Sequence, residues 1–319
     1  MSKCYKIENS PLYRMRNRRK LAILLGVPSN YFSYIHEFQY DKFSRPKPNG
    51  NGQRCFTVPV GEIKIIQKRI CQLLSRIETP DWVISGKKHF SYITNAEKHQ
   101  DNNFVKTMDI SKFYDSVQKK YIYHMFTDKF KMAEDISRLM TNLVTYKGVL
   151  PTGSPSSQLI VYWSYSDMFE KIREIAIEKG CLFTLYVDDM IFSSKYPIER
   201  ELRDSVAKIL KHNGLKAKNS KDHYYQSNKL KVITGVGLLN GNKVVLNKKR
   251  EEILQQYQKC KVTNNIYDIE KLNGMLCAQR QIEKDIFPEI ANYIKHYETK
   301  LCVMAKNRYY RGRRKNNFV

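Results

Sequence analysis

Two adjacent acidic residues lie inside an apolar stretch, Leu182-Phe183-Thr184-Leu185-Tyr186-Val187-Asp188-Asp189-Met190-Ile191-Phe192. Apolar and β-branched residues lead up to the pair and a second apolar run leaves it. This pattern predicts a tight β-hairpin with Asp188 and Asp189 at its turn. An isolated Asp-Asp is usually a turn that faces water, because Asp is a common turn residue. Two neighbouring carboxylates among apolar residues also repel each other, and burying them unpaired is costly, so something must offset their charge. A hard divalent cation, which takes carboxylate oxygens together with phosphates, answers that need. The rest of the chain decides between a solvated turn and a cation site.

The second informative stretch is Phe104-Val105-Lys106-Thr107-Met108-Asp109-Ile110-Ser111-Lys112-Phe113-Tyr114-Asp115. A short strand ends on Asp109, and aromatic residues follow four and five positions later; Asp115 alone also suits a helix cap. Between the two acidic stretches, Gly148-Val149-Leu150-Pro151-Thr152-Gly153-Ser154-Pro155-Ser156-Ser157-Gln158 reads as a loop that becomes a helix through Tyr165, Met168 and Ile172. Its small residues let another backbone or a nucleotide approach closely. Nearer the N-terminus, the turn-rich basic loop 45–53 leads into a strand, Arg54-Cys55-Phe56-Thr57-Val58-Pro59. A glycine-rich hairpin leading to an arginine suits phosphate oxygens, although many such loops are only connections.

Helical periodicity is expected from Ser10 to Leu25 with a basic face, over 62–77, within 116–147 (clearest from Ala133 to Leu143), over 199–212, and from Lys248 onward. Strands are expected at 229–239 and 242–246, after a basic turn at 214–221.

Charge narrows the partner. The chain has 56 Lys and Arg against 31 Asp and Glu, a formal charge of +25, which implies a polyanion. The basic residues are spread among 22 Tyr and 14 Phe, the composition of surfaces that track a nucleic-acid backbone and stack on bases. The terminal stretch follows this pattern, with Arg308, Arg311, Arg313 and Arg314 around Tyr309 and Tyr310. Seven scattered cysteines without CxxC spacing indicate neither a zinc site nor a disulfide framework, and read as reduced thiols. There is no apolar leader and no run of membrane-span length, so a soluble cytoplasmic protein with no membrane partner is expected.

In order and spacing, Asp109, the Leu150-Pro151-Thr152-Gly153-Ser154-Pro155-Ser156-Ser157 loop and Tyr186-Val187-Asp188-Asp189 resemble the palm motifs of reverse transcriptases. Arg54 to Pro59 is similar to the family's fingers motif. Asn95-Ala96-Glu97-Lys98-His99 matches the NAxxH signature of the bacterial retron branch, and Ile233-Thr234-Gly235 is similar to its VTG motif with Ile in place of Val. Two departures stand out. Thr152 occupies a position that usually carries Gln, and Lys218 and Lys221 bracket Asn219 where the family offers a single Lys, with Lys221 preferred.

The resemblance implies an α+β right-hand polymerase. Fingers would span 1–100 with a helical excursion at 116–147, the palm 101–238, and the thumb and basic tail 239–319. It implies RNA-directed DNA synthesis with two Mg²⁺ ions held by Asp109, Asp188 and Asp189, and dNTP substrates met by Arg54, Tyr114, Thr152, Gly153 and Lys221. It further implies RNA contacts at Asn95, His99, Ile233, Thr234, Gly235 and the four tail arginines. The partners implied are a cognate structured non-coding RNA (msr-msd), its msDNA product, and an effector protein of an anti-phage system. An intron-type or diversity-generating reverse transcriptase, a metal-dependent nuclease and an inactive RNA scaffold are the competing readings. Three retained carboxylates argue against the scaffold.

Overall fold

The computed structural model describes residues 4–46 and 52–306, so most of the basic loop at 45–53 and the four tail arginines lie outside the described residues. The described chain divides into two compact units. One comprises the residues up to Ser91 together with Asn102–Ser227, and the other Tyr92–Asp101 with the chain from Asn228. The α+β class expected from the sequence is the one found.

The first unit opens with α1 (Arg18–Leu25), a two-stranded hairpin β1 (Tyr40–Pro46) and β2 (Gln53–Pro59), and α2 (Gly61–Leu74). Helix α1 is shorter than the expected 10–25. Arg14 takes a left-handed φ of 56° and donates its N–H to the Phe130 carbonyl at 2.7 Å. Asn17 then caps the helix by accepting the Lys20 N–H at 3.0 Å. The chain leaves for α3 (Tyr92–Glu97), which belongs to the second unit, and returns at β3 (Phe104–Asp109).

After β3 come α4 (Phe113–Ser116), α5 (Lys119–His124), a π-helical turn (Met125–Lys129) and α6 (Glu134–Val144), so the 116–147 excursion is helical in pieces. Helix α6 buries Ile136, Leu139, Met140 and Leu143 on one face, and places Glu134 and Asp135 in the first turn, where the helix dipole favours acids. The expected helix beyond Gln158 is two, α7 (Ser157–Ser164) and α8 (Ser166–Glu178). Then follow β4 (Leu182–Tyr186), β5 (Asp189–Ser194), α9 (Arg200–His212) and β6 (His223–Tyr225).

The main sheet has the order β4-β5-β3-β6 and is antiparallel throughout. Strand β5 is interior to the sheet and buried from Met190 to Ser194, which explains its unbroken apolar and small-residue sequence. Phe113, Tyr165, Phe169, Phe183 and Phe192 belong to the core of this unit. The chief consequence of the topology is register. Asp109 at the end of β3 pairs with Asp189 at the start of β5, so distant carboxylates meet at one sheet end.

The second unit adds to α3 a three-stranded antiparallel sheet, β7 (Lys231–Ile233), β8 (Val236–Leu239) and β9 (Asn242–Val244). Three helices follow, α10 (Asn247–Thr263), α11 (Ile266–Arg280) and α12 (Pro288–Lys295). The expected strand 229–239 is therefore two strands. Thr234 and Gly235 form a two-residue turn with φ values of 46° and 89°, the signs a type I′ hairpin turn requires.

Candidate active site

Strand β4 and strand β5 are joined by Val187 and Asp188, with Tyr186 paired to Asp189. The turn thus lies one residue earlier than the sequence pattern predicts, and Asp189 is already in β5. Val187 has a φ of 59°, a left-handed conformation that a β-branched residue adopts only under constraint. Its N–H donates to Ser85 Oγ at 3.0 Å, and the Ile110 N–H donates to the Asp188 carbonyl at 3.2 Å. The first ties the turn to Ser85 and the second holds it against the end of β3. Ser85 carries no sequence signal that would have revealed it.

One oxygen from each of Asp109, Asp188 and Asp189 lies within 4.8 Å of the others. The Asp109 side chain is 3% exposed and that of Asp189 37%, so the cluster is closed beneath and open above. Burial raises the Asp188 carboxyl to about 7, helped by the Asp109 charge, a hydrogen bond with Asp109 and the Asp189 charge. Burial also raises Asp189, opposed by the Lys221 charge. Asp109 Oδ1 is buried and accepts no hydrogen bond from a fixed donor. A buried acceptor without a donor, inside a ring of like charges, is the environment a divalent cation relieves. The all-oxygen donor set fits a hard cation.

Lysines supply part of the compensation. Lys221 Nζ lies 3.0 Å from Asp109 Oδ2 and 3.9 Å from Asp189 Oδ1, and Lys218 Nζ lies 3.6 Å from the same Asp109 oxygen. Both lysines of the bracketed Asn219 therefore face the cluster, with Lys221 the nearer. Burial pulls the Lys221 ammonium down, but its bond to Asp109 and the surrounding carboxylates outweigh this and raise it. The segment is held by Asp222, which pairs with Lys106 of β3 and accepts from Arg203 Nε of α9 at 3.0 Å. Asp222 leaves little mark in the sequence. Its one available signal was an acidic residue immediately after a basic turn.

The other residues expected to meet the nucleotide also belong to the first unit. Tyr114 packs on Phe113, and its hydroxyl is pushed up to about 12 by burial and the Asp188 charge, against a lowering effect of Arg54. Arg54 is exposed on β2. The Thr152 hydroxyl and the Gly153 N–H meet the backbone of Thr57 on the same strand. Tyr114 thus feels both Asp188 and Arg54, and the Thr152–Gly153 loop is joined to the strand that carries Arg54.

Residues 45–238, more than half of the chain, match the reverse transcriptase (RNA-dependent DNA polymerase) family. The chain belongs to that family. It is an RNA-directed DNA polymerase, and among its relatives are retron enzymes. It is 23% identical to the Retron Ec86 reverse transcriptase of Escherichia coli over 271 residues, 84% of each chain. It is 24% identical to the Retron Ec83 reverse transcriptase of the same organism over 259 residues, 73% of this chain and 80% of that one. To the Retron Se72 reverse transcriptase of Salmonella heidelberg (strain 579083-10) it is 24% identical over 198 residues, 60% of this chain and 51% of the relative.

The retron-like motifs of this reverse transcriptase come together in the second unit. Asn95, His99 and Ile233 are each 0% exposed, whereas Thr234 is half-buried and Gly235 exposed. The Thr234 hydroxyl donates to the Tyr92 carbonyl at the start of α3 at 2.8 Å, and Lys243 of β9 pairs with Glu97. The NAxxH helix and the Thr234-Gly235 turn are therefore one packed substructure, although about 140 residues separate them in sequence. Burial lowers the His99 imidazole to about 3, so the ring is neutral. Among the described residues no helix is long and apolar enough to cross a membrane.

Proposed function

We propose that this reverse transcriptase is a retron enzyme that copies a cognate structured non-coding RNA into msDNA by two-metal nucleotidyl transfer. The observation that carries the chemistry is the convergence of Asp109, Asp188 and Asp189 within 4.8 Å at one sheet end, with a buried Asp109 oxygen lacking a donor. In this reading Asp109 and Asp188 hold Mg²⁺ and Asp189 supports from the open side. Two such ions, held by these carboxylates, would supply charge stabilisation for the primer hydroxyl, the triphosphate and the leaving pyrophosphate. Arg54 meets triphosphate oxygens with a planar, always-charged guanidinium. Tyr114, with its hydroxyl kept neutral, offers a flat face under the sugar and favours dNTPs over 2′-hydroxylated nucleotides. Lys221 is charged and adjacent to the carboxylates, suited to deliver a proton to the leaving group.

The first unit then contains fingers and palm, and the second the thumb with the retron-like motifs. The buried Asn95 and His99 serve RNA recognition by shaping the segment that displays Thr234 and Gly235. A-form RNA is read largely by shape and backbone, which suits a chain of charge +25. Arg308, Arg311, Arg313 and Arg314 add phosphate contacts. A role beside an effector protein in cytoplasmic anti-phage defence follows from the retron reading and goes no further than it.

The test is the nucleic acid that copurifies with the protein expressed from its native locus. Under the proposal it contains DNA covalently joined to RNA, sensitive to DNase and to debranching, and absent from the Asp188→Asn, Asp189→Asn double variant. RNA alone, identical in both proteins, would overturn it in favour of a scaffold.

A further inference from the structure

We infer that Thr152 is a positioning residue whose hydroxyl locks strand β2, and with it Arg54, into the nucleotide-facing arrangement. The inference rests on the reading of Arg54 as the triphosphate cation and assigns Thr152 a role other than direct contact with the nucleotide.

Strand β2 is paired with β1 along one edge. Its other edge is met by the loop before α7. The Thr57 N–H donates to Thr152 Oγ1 at 3.0 Å, and the Gly153 N–H donates to the Thr57 carbonyl at 2.9 Å. The Thr152 hydroxyl in turn points at the Cys55 carbonyl, 3.4 Å away. The loop therefore acts as a two-residue third strand, using a side-chain oxygen where a backbone carbonyl would ordinarily accept. Both the donor and the acceptor capacity of the hydroxyl are taken up by β2, at Cys55 and Thr57 on either side of Phe56.

Gly153 makes this approach possible. A Cβ there would stand 2.4 Å from Val58 Cγ2 and 3.0 Å from the Thr57 carbonyl oxygen, so any side chain would push the loop off the strand. The loop itself is tied down, because Ser157 Oγ donates to the Pro151 carbonyl at 2.8 Å. A rigid loop thus transmits its position to a strand that otherwise belongs only to a hairpin, and two-stranded hairpins hold their shape weakly alone. Arg54 lies three residues before Thr57 on the same strand, so the position of β2 sets where the guanidinium is carried.

The experiment compares full-length wild type, Thr152→Val (the same shape without the hydroxyl) and Thr152→Ser (hydroxyl retained). It reads amide hydrogen exchange over residues 53–59, and dNTP KM and kcat on an externally primed RNA template. Thr152→Val should speed exchange at Thr57 by roughly tenfold, the effect of losing one partly buried hydrogen bond. It should raise the dNTP KM by about tenfold while changing kcat by less than about twofold, because the weakened group binds the triphosphate before and during transfer alike. Thr152→Ser should restore both. Unchanged Thr57 exchange in Thr152→Val overturns the lock. Faster exchange with unchanged KM overturns the link to Arg54, and a Ser variant as defective as Val shows that packing rather than the hydroxyl matters. If no protein incorporates dNTPs, the polymerase reading fails while the exchange arm still decides the lock.

Discussion

The two units use their motif residues in opposite ways. In the first, the motif carboxylates crowd together at a partly open sheet end, and burial raises Asp188 to about 7. In the second, Asn95 and His99 are sealed inside, and burial keeps the imidazole neutral by lowering it to about 3. One site holds unfavourable electrostatics that a ligand can relieve. The other keeps its buried motif side chains neutral and offers shape. A side chain that does chemistry must remain accessible and electrostatically frustrated, whereas one that shapes a recognition surface can be buried like any core residue.

The largest expected effect tests the frustrated half. Asp109→Asn or Asp188→Asn should each reduce dNTP incorporation by at least about 10³-fold, corresponding to the several kcal/mol of charge stabilisation that carboxylate-held metals supply. The thermal midpoint of the metal-free Asp188→Asn protein should hold or rise, because a like-charge contact is removed. A variant retaining a tenth of wild-type incorporation would take Asp188 out of the site.

Acid should separate the units by sign. The folded second unit holds His99 neutral, while the unfolded chain takes up a proton below about pH 6.5. Stability present above that pH is therefore lost as pH falls towards about 3. At pH 5 the loss is about 2 kcal/mol. The metal-free acidic site behaves in reverse. Asp188 binds its proton more tightly folded than unfolded, so its contribution is full below about pH 4 and disappears as pH rises through about 7. Partial exposure and screening reduce this to about 1 kcal/mol. Site-resolved hydrogen exchange between pH 4.5 and 7.5 should show protection at 95–99 rising with pH, and protection at 186–190 falling unless Mg²⁺ is added. Parallel trends in both segments would break the contrast.

Much of the first unit was legible because its chemistry leaves local marks. An acidic pair between apolar runs, a strand ending in Asp109 and a Pro-Gly-Ser loop each read from a few residues, and antiparallel register then brings them together. What escaped was long-range and carried by unremarkable residues. Ser85 meets Val187 across 102 positions, and Asp222 is defined by partners on β3 and α9. The shortening of α1 has the same origin, since the bond from Arg14 to Phe130 overrides helical periodicity in 10–17. In the second unit the NAxxH and Ile-Thr-Gly stretches were visible as motifs, but nothing local said that a hydrogen bond from Thr234 to Tyr92 would join them.

The smallest effect compares two turns. Val187 and Thr234 are both β-branched residues in left-handed backbone, with φ of 59° and 46°, one in each unit. Left-handed conformation costs an L-residue about 1–2 kcal/mol, and glycine removes that cost while adding about 0.5–1 kcal/mol of chain entropy. Val187→Gly should therefore stabilise the metal-free first unit by about 0.5 kcal/mol, since the backbone bond to Ser85 Oγ survives the change. Thr234→Gly gains the same relief but loses the hydroxyl bond to Tyr92, about 1 kcal/mol, and should be neutral or slightly destabilising. Exchange protection of each hairpin is the measurement. If Thr234→Gly stabilises as much as Val187→Gly does, the Thr234–Tyr92 bond contributes nothing, and the two retron-like motifs are held together by packing and the Lys243–Glu97 pair.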